Sequence, residues 1–116
     1  MTGGLLLCDD LLFASKVTAT AAAHGLSVAV RKSPEALLAA AANPPAGVIV
    51  DLNAPELEIE TLTAQLKAIG PVRVIGFGSH VDKETLDAPK AAGCNEVMPR
   101  SKFVKELEAN LLGWFS

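Results

Sequence analysis

The sequence predicts a three-layer α/β domain, a doubly wound sheet of five parallel strands with helices on both faces. Three observations lead there. Short apolar runs alternate with helix-like segments five times along the chain. The apolar runs lack the in–out alternation of a half-solvated strand, as expected where both faces of a sheet are covered. Two of them, within "LLLCDD" and "AGVIVDLNAP", finish in carboxylates, which are costly to place beside a core without a reason.

The elements follow in order. "GLLLC" has strand length, and "LLFASKVTATAAAHG" has helical composition with Gly25 placed as a C-terminal cap. "LSVAVR" is a strand rich in β-branched residues. "SPEALLAAAAN" opens a helix with Ser33 as N-cap and Pro34 in the first position, and stops before Pro44 and Pro45. "GVIVD" is a continuous apolar strand. "ELEIETLTAQLKAIG" sets Leu57, Leu62, Leu66 and Ile69 on one helical face and ends in Gly70. "VRVIGFG" is the fourth strand. Asp82 is placed to cap "KETLDAPKAAG", a fourth helix that Pro89 must shorten or distort. "EVMP" is the short fifth strand, and "SKFVKELEANLLGWF" closes the chain as an amphipathic helix with Phe103, Leu107 and Leu111 four residues apart.

The 116 residues suit one domain spanning 1–116, with one core. A hydrophobic half and a charged fifth mark a globular chain. The net charge of −3 and scattered basic residues give no nucleic-acid surface, but leave room for an acidic patch that takes a cation. Cys8 and Cys94 lie far apart without metal-ligand spacing, and Cys8, inside an apolar run, reads as a small core residue. "MTGG" lacks a basic leader region, and no segment is apolar for long enough to span a bilayer. A cytoplasmic protein with no membrane partner is expected.

Right-handed crossovers limit the topologies to a few, and ligands in such sheets sit at the carboxyl ends of the strands where strand order reverses. If the first and third strands are neighbours, Asp9, Asp10 and Asp51 meet there. Three carboxylates repel unless a cation lies among them, and hard oxygen ligands suit Mg²⁺. An aspartate beside such a metal can act as a nucleophile and form an acyl phosphate. The plainer alternative is that each acid opens a loop or caps the following helix.

The order of elements, with "LLLCDD", "VIVDLNAP" and "AAGCNEVMPR", resembles the response-regulator receiver domains of two-component signalling, from about Leu5 to Leu112. The resemblance implies a flavodoxin-like, CheY-like sheet of order 2-1-3-4-5. It implies Asp51 as phosphoacceptor and Asp9, Asp10, Asp51 and the Asn53 carbonyl as the Mg²⁺ site, Asp10 being the direct ligand of the acidic pair. It also implies a histidine kinase or phosphotransfer protein as donor. The face made by the fourth helix, fifth strand and final helix would then engage a downstream protein or a second copy of the chain.

The chain departs from the family in the parts that read the phosphoryl group. Gly78 stands where a threonine or serine is usual, with Ser79 one step on. Arg100 replaces a lysine, Ser101 the proline after it, and Val97 an aromatic, in a chain without tyrosine. Ser79 and Arg100 are the remaining candidates for phosphate contact, with Lys102 as a substitute if the register slips. His80 reads as a solvent-facing loop residue. "LLGWFS" reads either as packing of the last helix or, more sharply, as an exposed docking or dimer face. The expected function is that of a phosphoaccepting receiver with altered switch residues, without an output domain or enzymatic activity of its own. The alternative is a phosphorylation-independent pseudo-receiver used for protein docking. An aspartyl-phosphate phosphatase of the haloacid-dehalogenase type would want a second acid where Asn53 stands, and a cap domain for which there is no room.

Overall fold

The computed structural model describes residues 3–42, 45–54, 57–78, 90–91 and 93–115. Strands β1 (Gly3–Leu7), β2 (Ser27–Arg31), β3 (Gly47–Asp51), β4 (Arg73–Gly78) and β5 (Glu96–Pro99) form one parallel sheet in the order β2-β1-β3-β4-β5, the predicted topology. Helices α1 (Leu11–Ala23), α2 (Pro34–Ala40), α3 (Ile59–Ile69) and the C-terminal α4 (Arg100–Trp114) cover it. Most of the predicted helix after β4 lies outside the described residues, together with Pro44, Pro55, Ser79, His80, Asp82 and Pro89. Among the described residues no helix is long and apolar enough to cross a membrane.

The strand centres are apolar on both faces because the sheet feeds two cores. Leu5, Leu7, Val48, Val50 and Val74 turn toward α2 and α3, where Leu37, Leu62 and Leu66 meet them. Leu6, Cys8, Ile49, Ile75, Phe77 and Met98 turn the other way, onto α1 and α4. The four-residue spacing read along α4 is its buried stripe, since Phe103, Leu107 and Leu111 are all core. Ser33 accepts the Ala36 N–H at the start of α2, with Pro34 behind it, and Gly25 adopts φ 76° after α1.

Rings form a continuous column on the α1–α4 side. Phe13 and Phe103 both pack against Phe77, with centroids 4.9 and 4.7 Å from it, and Trp114 stacks on Phe103 at 5.4 Å. This corrects the reading of the C-terminal aromatics as an exposed docking face. Trp114 and Phe115 are buried, and the Trp114 indole N–H donates to Glu96 at 2.7 Å. Phe115 lies against the start of β3, so closely that a Cβ on Gly47 would stand 2.7 Å from its ring. Aromatic area is used here to close the sheet end remote from the acids.

Candidate functional site

Strand parity assembles the site. Cys8 follows β1 on the same face as Leu6, and Asp51 ends β3 on the same face as Ile49, so the thiol and the carboxylate point to one side of the sheet. Leu7 pairs with Val50, which sets the Cys8–Asp10 segment beside Asp51. Strand order reverses between β1 and β3, at the carboxyl edge where ligands settle in sheets of this kind.

Asp51 is one of two buried polar side chains among the described residues, at 7% exposure. Its Oδ1 accepts the Asn53 N–H at 2.9 Å, and the Ala54 N–H returns to the Asp51 carbonyl at 3.0 Å, which makes a tight turn off the strand. The Cys8 thiol has two acceptors within reach for its one hydrogen, Asp51 Oδ2 at 3.7 Å and the Asp10 carbonyl at 3.6 Å. Burial pushes the Asp51 carboxyl above its ordinary range and the charge of Asp9 adds to this, while the Asn53 amide, the Cys8 thiol and the Arg100 charge oppose it. Burial likewise pushes Cys8 up to about 11, so at neutral pH it remains a protonated donor.

Asp10 faces elsewhere. Its Oδ1 accepts the Phe13 N–H at 3.2 Å as the N-cap of α1, and its Oδ2 accepts from Arg100 at 3.0 Å. The Arg100 guanidinium, followed by the Phe13 amide, holds the Asp10 carboxyl below its usual range. Arg100 opens α4 directly after β5 and lies over the Phe13 ring, 4.1 Å from its centroid. Asp9 is exposed beside them.

Gly78 ends β4 within reach of the same loop. A Cβ built there would meet Leu52 at 3.7 Å and the Asn53 side-chain oxygen at 3.8 Å, which is ordinary contact. Val97 is half-buried against the other core, and Ser79 and His80 lie outside the described residues. Two residues of the site were not singled out for it from the sequence, Cys8 as a hydrogen-bond donor and Phe13 as the shelf under Arg100. The signals were there: Cys8 shares strand parity with Leu6, and Phe13 stands three residues into the helix that Asp10 caps.

Carboxylate oxygens are the right donors for Mg²⁺. A buried carboxylate with a second acid's charge beside it is also a group that a cation would relieve. As the site stands, though, no three His, Cys, Asp or Glu side chains among the described residues converge closely enough to hold a metal ion. The expected meeting of Asp9, Asp10 and Asp51 is incomplete because Asp10 is engaged by Arg100 and by the helix it caps.

No protein-family model matches this sequence, and no curated protein does. Solved structures of like fold are numerous. The beryllofluoride-activated receiver domain dimer of NtrC4 superposes with a TM-score of 0.87 at 16% identity, covering 99% of this chain and 97% of that one. A two-component response regulator from Clostridium difficile gives 0.85 at 12% identity, with 98% and 95% covered. A response regulator from Burkholderia pseudomallei, solved with a phosphorylated aspartic acid, a calcium ion and citrate, gives 0.82 at 16% identity, covering all of this chain and 67% of that one. At such identities the likeness is one of fold: the chain folds as receiver domains do.

Proposed function

We propose that this chain is a signal receiver that takes a phosphoryl group onto Asp51 from a histidine kinase or phosphotransfer protein. The observation that carries this reading is the buried carboxylate of Asp51, at the end of β3, in the crevice where strand order reverses. An Asp51 oxygen attacks the phosphorus of a phosphohistidine, the P–O bond forms as the P–N bond breaks, and the electron pair leaves on the imidazole. Desolvation strengthens the attacking oxygen, while the Asn53 amide orients the carboxylate. Mg²⁺, held through Asp10 and Asp51 with Asp9 in support and the Asn53 carbonyl completing the site, would offset the repulsion between carboxylate and phosphoryl group. Arg100 supplies a fork for the phosphoryl oxygens, and Ser79, next in sequence after Gly78 and outside the described residues, is the candidate hydroxyl.

The domain acts in this reading as a signalling element rather than an enzyme, in the cytoplasm, and β5 with α4 offers the face for a downstream protein or a second copy. Gly78, Val97 and the engagement of Asp10 by Arg100 favour the pseudo-receiver as a second reading, in which the fold serves docking alone. Backbone NMR with Mg²⁺ and beryllofluoride, an acyl-phosphate mimic, separates the two. The receiver reading expects shifts at Asp51, Asn53, Gly78 and Arg100 that vanish in Asp51→Asn. Unmoved spectra in the wild-type protein would leave the docking reading in possession.

A further inference from the structure

At the amino end of β4, across the sheet from the end where Asp51 stands, a groove of about 250 Å³ opens. Ala46, Lys67, Pro71, Val72, Arg73 and Asn95 line it, with no carboxylate among them. The acceptors on its wall are already engaged. The Ala46 carbonyl takes the Arg73 N–H at 3.3 Å, and the Val72 carbonyl takes Lys67 Nζ at 2.7 Å. Asn95 Oδ1 takes both Lys67 Nζ at 2.6 Å and the Val74 N–H at 2.9 Å. Two donors on one oxygen fix the Asn95 amide, because the flipped group would set its NH2 against them. The NH2 hydrogens are left over as donors. Arg73 gives one N–H to the Gly113 carbonyl and keeps the rest of its guanidinium fork. Among the described residues neither Lys67 nor Arg73 has a carboxylate partner. The plainer role of both cations is to offset helix ends, Lys67 in the last turn of α3 and Arg73 at that of α4. That role engages neutral carbonyls only, and leaves the groove with surplus donors and uncompensated charge.

We propose that this groove is an anion site, where Arg73, Lys67 and the Asn95 amide take a small phosphate dianion. Two cations match a double charge, and the Arg73 fork suits phosphoryl oxygens. Lys67 is held by two oxygens before any ligand arrives, so little side-chain freedom is lost on binding. The volume falls below the roughly 300–1,000 Å³ of drug-sized sites, so the ligand is free phosphate or a small phosphate monoester. Ala46 and Pro71 offer apolar surface to the body of an ester. Lys67 belongs to α3 on one face of the sheet, and Arg73 holds α4 on the other. A bound dianion would therefore tie both helix layers to the start of β4 and raise stability by mass action. It needs neither Asp51 nor a metal ion.

Amide NMR shifts in metal-free buffer at constant ionic strength test the site, with inorganic phosphate and glycerol phosphate as probes. Saturable shifts are expected at Lys67, Arg73 and the Asn95 NH2 group in the wild-type protein, and equally in Asp51→Asn. Arg73→Gln removes the fork. Asn95→Asp keeps the oxygen that Lys67 and Val74 use, and replaces the NH2 group by a charged oxygen. Each variant should weaken binding by about ten-fold or more, and the rise in melting temperature with phosphate should shrink with it. Cations with a structural role alone would give variants of altered stability and no phosphate dependence to lose. Tighter binding of the ester supports the site with a phosphorylated metabolite as ligand, and equal or weaker binding supports it with free phosphate. No saturable shift, shifts that chloride reproduces, or binding that survives both variants would overturn the proposal. If Arg73→Gln does not fold, Asn95→Asp decides. The measurement uses no Mg²⁺ and includes Asp51→Asn, so its failure leaves the receiver reading untouched.

Discussion

Asp51 is a carboxylate held against its solvation preference. Burial is the largest influence on it and raises its titration above the ordinary carboxylate range, despite an amide, a thiol and a nearby guanidinium that favour the charge. A raised carboxyl binds its proton more tightly folded than unfolded. Its contribution to stability is therefore fully present below the unfolded value, about 3.9, and is lost as pH rises through the folded one. Asp51→Asn, which keeps an acceptor for the Asn53 amide, should raise the melting temperature at pH 7. The gain should shrink to nothing as the pH falls below the ordinary carboxylate range. Thermal melts across that range check it, and an Asn variant less stable than wild type at neutral pH would show that the ionised carboxylate is better compensated than its burial implies. The place of this acid at the end of an apolar strand was legible in the sequence, where "GVIVD" runs unbroken into it. Strand parity and helix position placed Cys8 and Phe13 near the site, but composition says only that a residue is core and not which polar atom its edge will touch.

At the scale of elements, the two glycines at opposite ends of the central strands behave differently. Gly47 opens β3 under the C-terminal turn, and a Cβ there would stand 2.5 Å from the Trp114 carbonyl oxygen. Gly47→Ala should cost about 1–3 kcal/mol in urea unfolding, since the buried aromatics around it have nowhere to move. Gly78 closes β4 as a buried residue, where a Cβ would meet Leu52 and the Asn53 side chain at ordinary contact distance. Gly78→Ser should be neutral or should stabilise by up to about 1 kcal/mol, as a strand residue replaces glycine. It would also put a hydroxyl near the Asn53 side-chain oxygen. A large loss of stability in Gly78→Ser, or none in Gly47→Ala, would contradict these packing accounts. The strands, their parallel order and the capped start of α2 were readable because continuous apolar runs, Ser33 and Pro34 each have one economical explanation. The inward turn of Trp114 and Phe115 was not readable. An amphipathic helix ending in two aromatics is compatible with either an exposed face or a plug, and the choice depends on Gly47 across the sheet, far away in sequence.

Across the whole molecule, one sheet separates two tasks. Its lower end is closed by Trp114 and Phe115 over the start of the strands, and its upper end gathers Asp9, Asp10, Asp51 and Arg100 where those strands finish. The ring column from Phe13 through Phe77 and Phe103 to Trp114 runs from one end toward the other, with Arg100 seated on its first ring. A ligand shifts such a body only by its differential affinity for two states, so the missing hydroxyl and aromatic should confine the response to a small region. That region is the loop after Gly78 and the junction at Arg100. All of this depends on Asp51 accepting a phosphoryl group. The most direct measurement is intact mass after exposure to phosphoramidate and Mg²⁺, with peptide mapping, for the wild-type protein and Asp51→Ala. The account predicts a gain of one phosphoryl group on Asp51, removed by hydroxylamine and absent from Asp51→Ala. An unmodified wild-type protein, or label that persists in Asp51→Ala or maps to Ser79 or His80, would contradict it.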